Sequence, residues 1–356
     1  MSLNKAFFER ETNISARVVA DSISPTGQRI VTIEAEYPRF ILAEVNTHKA
    51  LEKNSASSRA IPIKTMIEQI QSNMAVPLYW GKTKSGMQAD GEIDSIPTGK
   101  KYWNEAFVKA RNTALGLSDI GLHKQTANRL LEPFQMMKTV MTGTDWDNFF
   151  NLRIHPDAQP EFCMLAYKIY KAIEESEPMP LKAGEWHLPY INTCRGVVAE
   201  DGESWDINSE VIYSTGNLSD GTLSNPLTLE EAQRISASCC AQTSYRKSDD
   251  SLEKADKVFE MLVGADVLHA SPFGHLATPV QRTVVNRDNC FHLVDTDLSV
   301  NSRVYTETWE EGITHMLRDG TLCSGNLKGW ISYRHKMPNN TCHEFDFDKR
   351  MELFNG

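Results

Sequence analysis

The chain has no apolar run of about 18 or more residues, so no transmembrane helix is expected. Its N-terminal stretch, MSLNKAFFERETNIS, lacks the apolar core of a secretory signal, which points to a cytoplasmic location. No CxxC pair occurs, which argues against a structural zinc site and leaves no metal ligand set to nominate. The seven cysteines are odd in number and scattered apart from Cys239-Cys240, a pattern of reduced thiols rather than a disulfide framework. No GxGxxG follows a strand, so a Rossmann-type dinucleotide site is unsupported. Basic charge is also scarce. The formal net charge is −10, and a nucleic-acid partner would call for a basic face. An anionic ligand is instead expected to be a small phosphorylated metabolite, held where a few cations are concentrated.

The 356 residues can bury a full core, with 40% hydrophobic and 24% charged residues, as in ordinary globular proteins. Arg17 to Ala35 alternates apolar positions on both sides of Ser24-Pro25-Thr26-Gly27, which predicts a hairpin. Ile63 to Met74 and Glu161 to Ile173 carry apolar residues at helical spacing, and Lys101 to Leu117 and Leu122 to Leu131 read as helices. Pro77 to Gly99 reads as a surface loop. Residues 176–226 are rich in Pro, Gly and Asp and form a long connection with a strand or two. Leu229 to Tyr245 and Leu252 to Leu262 return to helical spacing. The expected division is residues 1–175, a linker or insertion at 176–228, and residues 229–356.

Chemistry-bearing residues concentrate in Tyr37 to Pro62, YPRFILAEVNTHKALEKNSASSRAIP. An apolar lead-in, read as helix or buried strand, delivers His48, Lys49, Asn54, Ser57, Ser58 and Arg59 onto what is expected to be a short loop. Such a set suits an anionic ligand. Thr47-His48-Lys49, then Asn54, Ser57 and Arg59, resembles the RHRxxSxNExSxRY signature of flavin-dependent thymidylate synthases (ThyX). The departures are Thr47 for the first Arg, Glu52 for the first Ser, Ser55 for Glu and Ala60 for Tyr.

Further pieces carry the same resemblance. Arg129 before Pro133, a helical connection, then Asn148, Asn151, Leu152, Arg153, Ala158, Gln159 and Glu161 is similar to the family's substrate-binding block. Ser236 to Tyr245 (SASCCAQTSY), followed by Ser271-Pro272-Phe273-Gly274-His275, is similar to a pair of segments that precede the signature in ordinary members. Here they follow it, so a rearranged, permutation-like order is implied, as in some virus-encoded relatives. Arg334-His335-Lys336 is a second RHR-like triplet, lining the same cleft or marking a duplicated half.

The resemblance implies an α+β fold, an antiparallel-rich sheet flanked by helices, assembled as a homotetramer. It implies methylation of dUMP to dTMP, with FAD as cofactor and NADPH and methylenetetrahydrofolate as co-substrates. Arg129, Arg153, Gln159, Ser57, Ser58 and Arg59 would bind substrate, with Ser57, Arg59 and Arg153 also catalytic. His48, Lys49, Asn54, Asn148, His275 and Arg334 would hold the flavin. The plain alternatives are surface ion pairs for the arginines, a turn or cap for Ser57, and satisfied core or loop roles for the histidines. A hydroxymethylase, an enzyme of another nucleotide, or a non-catalytic nucleotide-binding relative are the other functional readings.

Overall fold

A computed structural model describes residues 4–354 apart from 87–88, 90, 196–209, 217, 220–221, 224, 245–248, 266, 288–289, 296–300, 304–308 and 353. Strands β1 (Ser15–Ile23) and β2 (Arg29–Pro38) form the expected antiparallel hairpin, with a register shift between Val18 and Ala20. Its turn closes through Gly27 N–H to Ser24 O at 2.9 Å, and Gly27 sits at φ +81°, where a side chain would be strained.

β2 leads through a 3-10 turn into the short helix α1 (Leu42–Asn46) and then to β3 (Glu52–Ser55). Strand β4 (Met136–Gly143) lies between β3 and β2, antiparallel to both. β5 (Met179–Pro180) pairs parallel with β1, giving the order β3-β4-β2-β1-β5. The helical connection expected ahead of Asn148 is therefore corrected at Met136–Gly143. Its amides are satisfied from both sides of the ladder, and Thr139, Val140, Met141 and Thr142 are buried.

Helices α2 (Ile63–Ser72) and α3 (Ile96–Asp119) pack with Leu131 and Phe134 around Met66, Ile70 and Phe107. The helix expected over 122–131 is broken. Only α4 (Lys124–Ala127) is α-helical, and a 3-10 turn at Asn128–Leu130 follows. There Asn128 turns inward, donating from Nδ2 to Ser58 O and Ile61 O at 2.8 Å each. That side chain competes with regular helix.

α5 (Asp147–Arg153) leads into α6 (Pro160–Glu174), whose apolar stripe packs on β1 and β2. Phe162, Leu165, Ala166 and Ile169 are fully buried with Ile33, Tyr37 and Met141. Gln159 caps α6, its side-chain oxygen accepting from Phe162 N at 2.7 Å.

The connection at 176–228 contains a three-stranded sheet of Asn192–Arg195, Val211–Ser214 and Pro226–Leu227. Helix α7 (Leu229–Ala241) starts at a Thr228/Glu231 capping box and packs on α8 (Leu252–Val263). A 3-10 turn at Ser271–His275 leads into the strand Ala277–Pro279, which pairs antiparallel with Trp330–Ser332. The latter runs straight into α9 (Tyr333–Lys336). Trp330 is fully buried beside Ile30, Leu181 and Leu327, and its indole N–H donates to Gln28 O at 3.1 Å. This cluster stitches the two ends of the chain together. The fold is thus a mixed α+β arrangement.

Candidate functional site

Strand β3 is where distant segments meet. Asn54 Nδ2 donates to Cys240 O at 3.2 Å, and Ser57 N–H to Ser244 Oγ at 2.8 Å, both in the segment at the end of α7. Glu52 accepts from Asn326 Nδ2 at 3.2 Å and stands 3.9 Å from the Arg334 guanidinium. A Cβ added to Gly274 would lie 3.0 Å from Glu52 Oε2, so the 3-10 turn at Ser271–His275 presses its backbone against that carboxylate. The SASCCAQTS, SPFGH and RHK segments therefore all converge on the strand that carries Glu52 and Asn54. Tyr245 lies outside the described residues.

Arg153 and His48 form a second grouping. Arg153 Nε donates to His48 Nε2 at 2.7 Å, its Nη2 donates to Thr47 Oγ1 at 2.9 Å, and the guanidinium carbon stands 4.7 Å from the centroid of Phe162. Lys53 Nζ donates to the His48 carbonyl. Burial, reinforced by the Arg153 and Lys53 cations, pushes the His48 pKa down to about 4. The imidazole is therefore neutral at pH 7, and it packs edge-on against Phe149 and Phe162. Lys49 is exposed beside it, and Asn148 is exposed on α5.

The third grouping centres on Glu132. Its Oε1 accepts from Ser58 Oγ at 2.5 Å and Arg129 Nη1 at 2.8 Å, and Arg39 Nη2 stands 3.2 Å away. Arg39 Nη1 also donates to Ala56 O, which fixes the backbone just before Ser57. Burial pushes the Arg39 pKa down. Arg129 is exposed and ion-paired, while Arg59 is exposed. Arg153 and Arg129 share no hydrogen-bond partner among the described residues. Gln159 serves as the α6 cap, and its amide also donates to Glu161, a buried carboxylate that accepts from Leu78 N at 2.6 Å.

His275 belongs to a buried relay that sequence spacing does not reveal. Ser22 Oγ meets His187 Nδ1 at 2.9 Å, His187 Nε2 meets Thr32 Oγ1 at 2.8 Å, Thr32 meets Thr142 at 2.7 Å, and Thr142 meets His275 Nδ1 at 2.8 Å. The chain of bonds crosses the sheet from β1 to the SPFGH turn. His275 Nε2 is buried with no partner. Burial pushes both histidines down to about 3, so both are neutral. Thr32, Thr142, His187, Arg39, Glu132 and Asn326 carry no motif signal. Glu52 had one, as a departure from the signature.

Among the described residues no group of three or more His, Cys, Asp or Glu could hold a metal ion, and no helix is long and apolar enough to cross a membrane. No family model matches the chain, and no curated protein matches it. Among solved structures the chain is similar to the UMP/dUMP methylase PolB from Streptomyces cacaoi bound with 5-Br UMP, at 15% identity and a TM-score of 0.40 over 46% of this chain and 90% of that one. It is similar to the same enzyme bound with 5-Br dUMP at 14% identity and a TM-score of 0.40, over 46% of this chain and 92% of that one.

Proposed function

We propose that the chain is a pyrimidine-nucleotide-modifying enzyme of the ThyX type, with its segments in rearranged order, methylating dUMP with methylenetetrahydrofolate and NADPH as co-substrates. The carrying observation is the convergence on β3. Segments near Cys240, Gly274 and Arg334, each about two hundred residues or more from the signature, contact Asn54, Glu52 or their immediate neighbours.

Arg334 and Lys336 on α9 supply two cations suited to a flavin diphosphate, beside His335, whose pKa burial and the Arg334 charge push down, and Asn54 and Asn326 add amide donors. The unpartnered His275 Nε2 is a further polar atom, on the turn at Ser271–His275. These residues fit FAD, which when bound supplies the redox chemistry. On the substrate side, Arg153, Arg59 and Arg129 would bind phosphate, Gln159, released from Phe162 N and Glu161, the pyrimidine edge, and Ser57 and Ser58, the latter released from Glu132, the base. Binding to Arg129 would displace Glu132. The assembly on this reading is a homotetramer.

Glu52 favours a second reading, in which the chain acts on another pyrimidine nucleotide or transfers a hydroxymethyl group. A carboxylate stands where the signature has a hydroxyl, and a carboxylate accepts from an exocyclic amine that uracil lacks. Titration of the purified protein with FAD, followed by turnover of dUMP and dCMP with methylenetetrahydrofolate with and without NADPH, tests both. Flavin binding with NADPH-dependent dTMP formation supports the first reading. Hydroxymethyl product or turnover of dCMP alone supports the second. A protein that stays colourless with FAD and turns over neither nucleotide overturns both.

A further inference from the structure

The Glu132 carboxylate sits where three donors from separate elements are aimed at one point. Its Oε1 collects Ser58 Oγ at 2.5 Å, Arg129 Nη1 at 2.8 Å and Arg39 Nη2 at 3.2 Å. Arg39 follows β2 and Ser58 follows β3, while Arg129 and Glu132 stand on successive 3-10 turns, Asn128–Leu130 and Glu132–Phe134. Two of the donors have supports of their own. Arg39 Nη1 donates to Ala56 O at 3.0 Å, and the backbone around Ser58 is held by Asn128 Nδ2 on Ser58 O and Lys124 Nζ on Ala60 O. Arg39 and Ser58 are thus placed by bonds that do not involve Glu132.

The charges in this grouping do not balance. Two guanidinium groups face one carboxylate, which leaves one positive charge over. The Arg39 side chain is only 11% exposed. Burial pushes its pKa down and Arg129 adds to that, against the pull of Glu132. A guanidinium nevertheless stays charged at neutral pH, so the inner cation is under-compensated. The oxygens do not match either. Three donors crowd onto one carboxylate oxygen, whereas a phosphate group presents three oxygens and carries about −1.5 to −2 at pH 7. Arginine forks are well matched to such a group. The position also reaches water, since the Arg129 side chain is 53% exposed and that of Glu132 22%.

We propose that Glu132 is an internal counter-ion occupying a phosphate-binding position between Arg39, Arg129 and Ser58, from which its carboxylate swings out when a phosphate group enters. The inference rests on the reading of Arg129 as a phosphate ligand. It adds Arg39 as the buried cation behind the phosphate and Glu132 as the residue that sets the affinity. A monoanion only exchanges with the carboxylate, whereas a dianion offsets both arginines. The position therefore selects a phosphate group over a carboxylate ligand and holds it less tightly than the donors alone would.

Calorimetric titration of the full chain with inorganic phosphate, acetate, dUMP and deoxyuridine tests it. Glu132→Gln keeps an oxygen acceptor for Ser58 and removes the competing charge. It should bind inorganic phosphate about tenfold tighter or more than the unaltered chain, the value of one charged hydrogen bond. Adding Arg129→Gln should cancel that gain, with a native far-ultraviolet circular dichroism spectrum in each variant. If Glu132→Gln fails to fold, Glu132→Asp, which draws the carboxylate back by one methylene, should show a gain in the same direction. Equal phosphate affinity in the unaltered chain and the folded Glu132 variant, no binding by that variant at millimolar phosphate, acetate bound as tightly as phosphate, or a gain that survives Arg129→Gln overturns the inference. A parallel gain for dUMP and none for deoxyuridine identifies the nucleotide monoester as the source of the phosphate. A gain for inorganic phosphate alone supports the counter-ion and counts against the nucleotide reading. Turnover of dUMP without any gain in the Glu132 variant overturns the counter-ion and leaves that reading standing.

Discussion

The Arg153 guanidinium donates from Nε to His48 Nε2 at 2.7 Å, which fixes the imidazole as the tautomer protonated on Nδ1. A guanidinium cannot accept, so Nε2 must be bare. Nitrogen-15 NMR of the His48 ring should show the Nδ1–H form from pH 8 down to about pH 6, and a predominant imidazolium in that range would refute the pairing. Arg153→Ala should free the ring and raise its pKa toward the ordinary value.

The same substitution reaches function on the proposed reading. Arg153→Ala should weaken dUMP binding by about 1.5–3 kcal/mol, the value of a charged hydrogen bond. Equilibrium binding measures it, and an unchanged affinity would remove Arg153 from the phosphate site.

Stability should fall on mild acidification. His187 and His275 have native pKa values of about 3 and His48 about 4, all below the unfolded value of 6.5. The unfolded chain takes up protons on these rings that the folded chain refuses. Their contribution is complete above about pH 6.5 and drains as pH falls toward 4 and then 3. Between pH 6.5 and 5 most carboxylates are outside their range, although Glu36 and Glu161, which burial raises above 4.5, work in the opposite direction as pH falls toward 4.5. Urea denaturation at pH 7, 6 and 5 should show a declining midpoint. A flat profile over that window would contradict neutral buried rings.

Thr142→Val should cost about 1–3 kcal/mol, because it removes the hydroxyl that joins Thr32 to His275, strands His275 Nδ1 in the interior and leaves Thr32 with His187 alone. The methyl replaces the hydroxyl at nearly constant volume, so packing contributes little. Thermal unfolding decides it, and a loss near zero would mean that the relay carries no stability. Phe162→Ala should cost more, about 3–5 kcal/mol, by opening a cavity under both His48 and the Arg153 guanidinium.

Glu52→Gln keeps the shape of the Asn326 contact and removes the charge facing Arg334. Stability should change by less than about 1 kcal/mol, since the pair is long and partly exposed. FAD affinity should rise, because Arg334 loses a competing anion. Unchanged or weaker FAD binding would speak against Arg334 as the diphosphate cation.

Much of the scaffold was legible in sequence because its elements are amphipathic. The β1–β2 alternation with its Gly27 turn, and the stripes of α2, α6, α7 and α8, each bury one face against one neighbour. β4 was misread because it is covered on both faces and paired on both edges, so its apolar residues lose the period of two. β3 escaped for the opposite reason: Glu52-Lys53-Asn54-Ser55 is short, polar and half-buried, with no apolar pattern to read. The signature residues could be singled out, but their groupings could not. Arg129 is bound to Glu132 and Arg153 to His48, on surfaces that share no partner, and the relay from Ser22 to His275 draws on positions with no common spacing.

The place of β3 at the rim of its sheet has a consequence for the growing chain. Its inner edge pairs with β4, but two of its side-chain partners, Cys240 to Asn54 and Asn326 to Glu52, lie 186 and 274 residues away. Until those segments are synthesised these side-chain contacts are missing, and contacts of such separation form slowly. Glu52 and Lys53 on that rim set charge against edge-to-edge association with another unfinished chain. The two residues that depart most from an apolar strand thus act as a safeguard during synthesis.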